Sequence, residues 1–457
     1  MNIRSQFFRE IRATLVLAFP LIIGELSQMA LGVADTIMIG QVGVVELAAS
    51  AFVNSVLHLP LMLGFGLLIG VSVRVSQARG EGNPVAARSA LRNGLYLGLG
   101  IGLLTILGAF VVVPRLHWFG QDPEVVAASP RYFYLVAVSL LPALMAIAIK
   151  AHADAMNRPW MPFWIIGAGV VLNIFLNWLL IYGSWGFPEW GLEGAGIATA
   201  LSRFATLVVI FLWCLRAAPD YREWLPVRWF RGPEWGTMRS LLQIGIPSSI
   251  HLLAEVGAFV MAALLVGRLG ATALASHQIA LTCAATTFMV PLGIGMAQTV
   301  RVGEAYGAKQ PERLRLIALG GTLLVVLFAL TSASSFVAFR WELAGLFSDD
   351  AGVIALCAHL LVITAVFQLF DGLQISASTS LRGMNDVRFP AALAFGVYWM
   401  IALPLGAVLA FWLHWGAAGI WWGITLGMMI SAVVLSRRLV QKMRGVSREL
   451  LTSHGEG

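Results

Sequence analysis

The chain of 457 residues is 59% hydrophobic and only 12% charged, and its mean hydropathy is +0.82. Soluble domains are typically about 45–50% apolar and about 25% charged, so this composition excludes an ordinary soluble protein and predicts an integral membrane protein. The net charge is +7, but in a membrane protein the position of the charges is more informative than their sum. We expect no nucleic-acid partner.

Twelve apolar runs of about 18 residues or more predict an all-α protein with twelve membrane-spanning helices. The first run continues to about residue 39, well beyond the apolar region of a cleavable signal peptide, so we predict that it is retained. The predicted spans cover residues 13–39, 47–73, 93–114, 132–149, 160–183, 191–215, 240–266, 271–300, 314–339, 351–380, 389–413 and 416–436.

The basic residues lie mainly on one side of the predicted membrane. If the N-terminus is inside, 25 of the 30 Lys and Arg residues fall in inner segments, four fall in outer loops, and Arg203 lies within a span. By the positive-inside rule both termini are predicted to be cytoplasmic. The expected location is the plasma membrane, which is the inner membrane if the cell has two.

The two halves of the chain repeat one another. Ten residues, beginning with Pro20 and Gly40, recur 227 positions later, and the dipeptide Met156-Asn157 recurs 228 positions later. Six spans per half give both halves the same orientation, which is typical of transporters built from two related lobes around a central cavity. The predicted domains are an N-terminal lobe, a cytoplasmic linker, a C-terminal lobe and a cytoplasmic tail, at residues 1–218, 219–239, 240–440 and 441–457.

Two carboxylates lie deep in the C-terminal spans. Glu255 lies near the middle of span seven and Asp371 lies in span ten, at depths where an ionised side chain costs at least ~2.5–3.5 kcal/mol. An ion pair is the alternative, but the basic residues of these spans lie only near the span ends. Unpaired carboxylates at this depth must be protonated or bind a cation, so we predict that Glu255 and Asp371 share one cation site.

The N-terminal half carries a different set of polar residues. Asp35, about one turn from the outer end of span one, is either functional or a helix-end acid that faces water. Asn173 and Asn177 share one face of span five, where they either line a polar pocket or bridge helices by hydrogen bonds. Glu25 and Arg203 both lie near mid-depth, and we predict a structural ion pair between them; the alternative is that Arg203 pairs with Asp35.

Several stretches of the sequence resemble the multidrug and toxic compound extrusion (MATE) family, specifically its NorM branch. They are FPLIIGELSQMALGVADTIMIG, LNIFLNW, GLEGAGIATA, AEVGAF, ASHQIAL and FDGLQISASTSLRGMND, and they span almost the whole chain. The resemblance implies twelve helices in two pseudo-symmetric six-helix lobes around a central V-shaped cleft. It also implies export of large, mostly cationic and aromatic compounds, driven by inward flow of sodium ions or protons.

The resemblance also implies roles for individual residues. It implies that Glu255 and Asp371 hold the coupling cation, as metal ligands if that cation is sodium, and that Asp35 is a proton or substrate site. Sodium-coordinating members tend to carry a tyrosine one turn before the acid of span ten, whereas this chain has Phe367. One oxygen ligand is missing there, which leaves open whether sodium or protons drive transport.

Two further residues are candidates for tuning the site or lining the cavity. Gln28 stands at the position in the first half that corresponds to Glu255 in the second. His277, near the outer start of span eight, is expected to be a satisfied polar contact in preference to a proton relay.

Other function classes are less consistent with the sequence. It contains no G-x-x-x-x-G-K-[ST] loop, which a transporter powered directly by ATP would need. It also contains neither the G-x-S-x-G nor the H-E-x-x-H motif that would indicate an intramembrane enzyme. A lipid-linked-sugar flippase of the same wider superfamily should carry several basic residues in its cavity, whereas this chain offers acids and one arginine. We therefore expect a monomeric antiporter in the lipid bilayer that binds small-molecule drugs and needs no cofactor beyond its coupling ion.

Overall fold

The computed structural model describes residues 3–453, with side chains described from residue 4 to residue 448, and the chain is almost entirely helical over this range. Twelve of its helices are long and apolar enough to cross a membrane, which confirms the predicted number of spans. They are α1 (Ile3–Gly40), α2 (Val44–Gly80), α3 (Pro84–Val112), α4 (Pro123–Ala155), α5 (Trp160–Ile181), α6 (Gly191–Leu215), α7 (Trp235–Gly267), α8 (Ala271–Gly307), α9 (Pro311–Ala338), α10 (Ala351–Gly383), α11 (Arg388–Trp412) and α12 (Ala417–Ser453).

Most of these helices extend beyond the apolar runs that predict them. Helix α2 has 37 residues, about 55 Å at 1.5 Å per residue, whereas the hydrocarbon core of a bilayer is about 30 Å thick. An apolar run ends at the first charged residues, but the helical backbone hydrogen bonds continue past them. For the same reason α12 continues into the segment predicted as a cytoplasmic tail, of which residues 454–457 lie outside the described residues.

The internal repeat is visible in how the helices end. Asn157 follows α4 with a φ of 55°, and Asn385 follows α10 with a φ of 61°. Asparagine tolerates this left-handed conformation better than most residues because its short side chain can hydrogen-bond locally. The recurring Met-Asn dipeptide is therefore a helix stop that both halves share.

One compact unit comprises Ile23–Ser249. Helix α4 is its central helix and packs against α2, α3 and α6, while α5 packs against α6. The exposed faces of these helices are rich in large apolar side chains, as expected for surfaces that contact lipid.

A second compact unit comprises, among the described residues, those up to Ile22 together with those from Ile250 onward. Its central helix is α10, which packs against α8, α9 and α12. This helix lies six spans after α4, as the repeat predicts. The unit boundaries fall within α1 and α7, whereas the sequence placed the lobe boundaries at the linker; those lobe boundaries stay a prediction.

A buried ion pair holds the beginning of α1 within the second unit. Arg301 of α8 donates from Nη2 to the carboxylate of Glu10 and from Nη1 to Thr14 Oγ1 at 2.6 Å. The side chains of Arg301 and Glu10 are 5% and 6% exposed. Arg313 places its Nε 3.6 Å from Glu10 Oε1, and the exposed Arg9 places its Nη2 3.9 Å from the same oxygen, so three cations surround this one carboxylate.

The linker after α6 is attached to α4 by aromatic and charged contacts. Tyr221 is buried, its ring stacks on Trp213 with a centroid distance of 5.2 Å, and its hydroxyl lies 3.0 Å from His152 Nδ1. Burial raises the pKa of the Tyr221 hydroxyl well above its usual value. Arg158, which follows α4, forms an ion pair with Asp220.

The last linker residue, Glu234, joins the start of α7 to α3. Its backbone N–H donates to Asn93 Oδ1 at 2.9 Å, and its carboxylate accepts hydrogen bonds from Ser89 and Arg92. These interactions, with the Ser89 hydrogen bond as the largest contribution, lower the pKa of Glu234. The carboxylate is therefore held to α3 directly before the start of α7.

Candidate functional site

The structure brings Glu255 and Asp371 together within the second unit. Glu255 lies on α7 and Asp371 lies on α10, and the two carboxyl groups are within electrostatic range of each other. Asp371 is buried and Glu255 is half-buried. The sequence predicted that these two acids share one site, and their geometry is consistent with that prediction.

A tyrosine that the sequence analysis missed completes this group. Tyr398 of α11 is buried within electrostatic range of both Glu255 and Asp371. Its hydroxyl accepts a 2.7 Å hydrogen bond from Gln374 Nε2 and donates to Met428 Sδ at 3.1 Å. Tyr398 begins a π-helical turn that runs to Ala402, and such widened turns are frequent at functional sites.

The expectation that Glu255 has no basic neighbour is wrong. His251, one turn earlier on α7, places its Nε2 3.9 Å from Glu255 Oε2. Arg382 of α10 is buried and also within electrostatic range of Glu255. The sequence placed Arg382 in the inner segment just beyond span ten, but α10 continues as a helix to Gly383, so Arg382 remains on a buried face. Within the described residues Asp371 forms no ion pair.

The residues of this group suit a small hard cation or protons. Carboxylate, amide and hydroxyl oxygens are the ligands that such cations prefer, and Glu255, Asp371, Gln374 and Tyr398 supply all three types. Gln374 Oε1 is buried and has no hydrogen-bond partner among the described residues, so one oxygen is available as a ligand. If sodium binds here, these four residues would hold it.

Phe367 and His277 lie in an aromatic cluster of the second unit. The Phe367 ring contacts Phe259 and Trp421 edge to face, with centroid distances of 6.0 and 5.9 Å. The His277 ring lies 5.7 Å from the same tryptophan. His277 is fully buried, and neither of its ring nitrogens has a hydrogen-bond partner within the described part of the chain. The expectation that His277 is a satisfied polar contact is therefore wrong.

A chain of hydrogen bonds links the polar residues of the first unit. Asn177 Nδ2 donates to Asp35 Oδ1 at 2.6 Å and to Asn173 Oδ1 at 3.1 Å, and Asn173 Nδ2 donates to Ser202 Oγ at 3.2 Å. The chain connects α1, α5 and α6, so the two asparagines bridge helices. Asp35 is half-buried and Gln28 is exposed, and Asp35 is therefore more than a helix-end acid in water.

The predicted ion pair between Glu25 and Arg203 does not form. Arg203 Nη1 donates to Ser139 Oγ at 2.8 Å, and its charge lies within electrostatic range of Asp35 without an ion pair. Glu25 lies instead within range of Lys150 and Asp154 of α4. Both residues lie near the middle of a predicted span, but position along a helix does not give the direction in which a side chain points.

Comparisons with known proteins agree on one family. The MatE family model matches residues 20–179 and 247–408, one match in each half. The chain is 38% identical to "Probable multidrug resistance protein NorM" of Bradyrhizobium diazoefficiens, over 96% of this chain and 94% of the relative. It is 31% identical to "Multidrug resistance protein MdtK" of Proteus mirabilis, over 95% and 96%.

Solved structures show the same fold at lower identity. One is an outward-facing multidrug resistance MATE family transporter of the MOP superfamily, at a TM-score of 0.88 and 21% identity, covering 96% of this chain and 97% of that one. Another is a MATE protein in a bent conformation, at a TM-score of 0.89 and 20% identity, covering 98% of both chains.

Proposed function

The chain belongs to the MatE family, and from this membership we infer that it is a multidrug efflux antiporter of the NorM branch. It is a transporter and not an enzyme. It exports large, mostly cationic aromatic compounds and takes in sodium ions or protons by alternating access. It works as a monomer in the plasma membrane, with both termini in the cytoplasm as the distribution of basic residues indicates.

The observation that carries this proposal is the group formed by Glu255, Asp371, Tyr398 and Gln374 inside the membrane-spanning helices. Two carboxylates close together in a low-dielectric environment repel each other, and a bound cation or proton removes that repulsion. Occupancy by the coupling ion then changes which conformation is favoured. Antiport requires that the bound ion stabilise one conformation more than the other, and this site would supply that difference in free energy.

The polar chain of the first unit supports a second role. Asp35 supplies a negative charge that attracts cationic compounds or accepts a proton, and Asn177 and Asn173 position it. A negative charge at this position favours a drug exporter, because a lipid-linked-sugar flippase must neutralise a diphosphate and therefore needs positive charges in its cavity. Arg203 is a single cation and already donates to Ser139, which favours the exporter.

The choice of coupling ion depends on the oxygens near the two acids. Phe367 offers none, and its ring packs against Phe259 and Trp421. Tyr398 brings a phenolic oxygen from α11 instead. We therefore propose that the site accepts protons and also binds sodium. In the sodium-bound state Tyr398 would supply the oxygen that, in sodium-coordinating members, comes from a tyrosine one turn before the acid of α10.

The test is drug export from liposomes that contain the purified protein. A fluorescent aromatic cation is loaded, the membrane potential is clamped, and a sodium gradient and a pH gradient are imposed in separate runs. The proposal predicts export against the dye gradient with at least one of them and none without either. Dye movement that is independent of both gradients and follows ATP addition would contradict it.

A further inference from the structure

The segment between α6 and α7 has surface properties that transport does not explain. It comprises residues 216–234 and connects two membrane-spanning helices, so it must lie at a membrane surface. Its first part contains a short helix, Pro219–Arg222, held against α4. The part from Val227 to Arg231 projects outward, and we call it the linker tip.

The linker tip exposes large apolar side chains beside the lipid-facing end of α6. Phe230 is 90% exposed and Val227 is 79% exposed. Between them, Trp229 packs edge to face on Phe211 of α6, with a centroid distance of 4.9 Å. Leu212 of α6 is itself exposed, as a lipid-facing residue would be. The tip is therefore held at the depth where helix α6 leaves the apolar part of the membrane.

Two acids of the linker, Asp220 and Glu234, form ion pairs with residues outside it. Asp220 is engaged by Arg158 and Glu234 by Arg92, both of which lie outside the linker. Arg228 of the tip makes no side-chain hydrogen bond or ion pair within the described residues. Arg228 is exposed and lines the same surface depression as Val227 and Phe230.

Arg231 strengthens this positive surface. It is exposed and forms no ion pair among the residues that the structure describes, although Glu234 lies within electrostatic range. An apolar patch flanked by unpaired arginines is the composition of segments that lie in the interface of a bilayer, with apolar groups among the acyl chains and cations at the headgroups.

We propose that the linker tip binds anionic phospholipid headgroups of the leaflet at this end of the protein. Arg228 and Arg231 contact the phosphates, since a guanidinium matches a phosphate oxygen pair. Phe230 and Val227 insert at the boundary between headgroups and acyl chains. The attraction of basic residues to an anionic leaflet favours this orientation.

The test is lipid binding to the purified full-length protein, measured by native mass spectrometry during titration with phosphatidylglycerol and, separately, with phosphatidylcholine. The double variant Arg228→Gln/Arg231→Gln should lower the affinity for phosphatidylglycerol about 25-fold, because each of the two basic residues near an anionic surface contributes a factor of about five. The affinity for phosphatidylcholine, which has a phosphate but no net charge, should fall much less. The variant Arg228→Lys/Arg231→Lys should keep most of the binding.

The matched control is Arg115→Gln/Arg340→Gln. These arginines also lie beside tryptophans, Trp118 and Trp341, but they follow odd-numbered spans and so lie on the opposite side of the membrane. An equal loss in this control would mean that only total charge matters and would overturn the proposal. Unchanged phosphatidylglycerol binding in the tip variant would also overturn it.

A second variant keeps the proposal testable if the charge variant does not fold. Phe230→Ser removes a side chain that is 90% exposed, so it removes little packing. It should weaken binding of phosphatidylglycerol with long acyl chains more than binding of a short-chain analogue. An equal effect on both lipids, or none on either, would contradict insertion of this residue.

Discussion

The ion pair between Glu10 and Arg301 gives the sharpest stability prediction. Both side chains are almost fully buried, and Arg301 also donates to Thr14. Removing one member of a buried pair typically costs ~3–5 kcal/mol because the survivor remains unpaired. Glu10→Ala should fall in that range, since it leaves Arg301 and Arg313 without their shared carboxylate. Arg301→Met should cost less, because Arg313 still lies 3.6 Å from Glu10.

The assay is a double-mutant cycle on the free energy of unfolding in detergent. Glu10→Gln, Arg301→Met and the combined variant are each titrated with a denaturing detergent and followed by circular dichroism. The combined variant should recover much of the loss, because a neutral pair leaves no buried charge uncompensated. A coupling energy below about 0.5 kcal/mol, the usual error of additivity for independent sites, would refute the reasoning.

Three further predictions concern the ion site and the linker. Phe367→Tyr should increase the dependence of transport on sodium, and an unchanged sodium response in vesicles would count against the ligand role of that position. Tyr398→Phe should raise, about tenfold, the sodium or proton concentration that gives half-maximal drug export. This is the effect of losing one hydrogen bond to a charged group, about 1.5 kcal/mol. An unaltered ion titration would exclude the hydroxyl from the site. Hydrogen bonds from Ser89 and Arg92 lower the pKa of Glu234. The ionised carboxylate therefore stabilises the folded state above the unfolded pKa of about 4.3, and this stabilisation is lost as the pH falls through the lower native pKa. Glu234→Gln should therefore cost about 0.5 kcal/mol or less at pH 7, since the side chain is 42% exposed. In thermal melts this cost should shrink as the pH falls through the lowered native pKa; a cost that stays constant with pH would contradict the charge argument.

The number and order of the helices could be read from the sequence because both follow from hydropathy and from the repeat. Twelve apolar runs became twelve helices, and the offset that links Asn157 to Asn385 reappears as the same left-handed helix stop. Helix ends could not be placed as well, because charged residues end an apolar run but do not end a helix. Arg382 shows the consequence: the sequence placed it in the inner segment beyond span ten, yet it is buried near Glu255.

Side-chain partners were the least predictable feature. Glu25 and Arg203 both lie near the middle of a predicted span, but Arg203 donates to Ser139 and Glu25 lies within electrostatic range of Lys150, because rotation about the helix axis decides where a side chain points. Tyr398 escaped notice because a single tyrosine in an apolar span carries no motif. Only the packing of α11 against its neighbours brings its hydroxyl to Gln374.

The central claim is that Glu255 and Asp371 couple ion entry to drug export. The direct measurement compares gradient-driven dye export with passive dye-for-dye exchange in Glu255→Gln, Asp371→Asn and the combined variant. The control is Asp349→Asn, the same chemical change at an exposed aspartate. The account predicts that the site variants lose gradient-driven export but retain folding and dye exchange, while the control behaves like the native protein. Full gradient-driven export by the combined variant would contradict it.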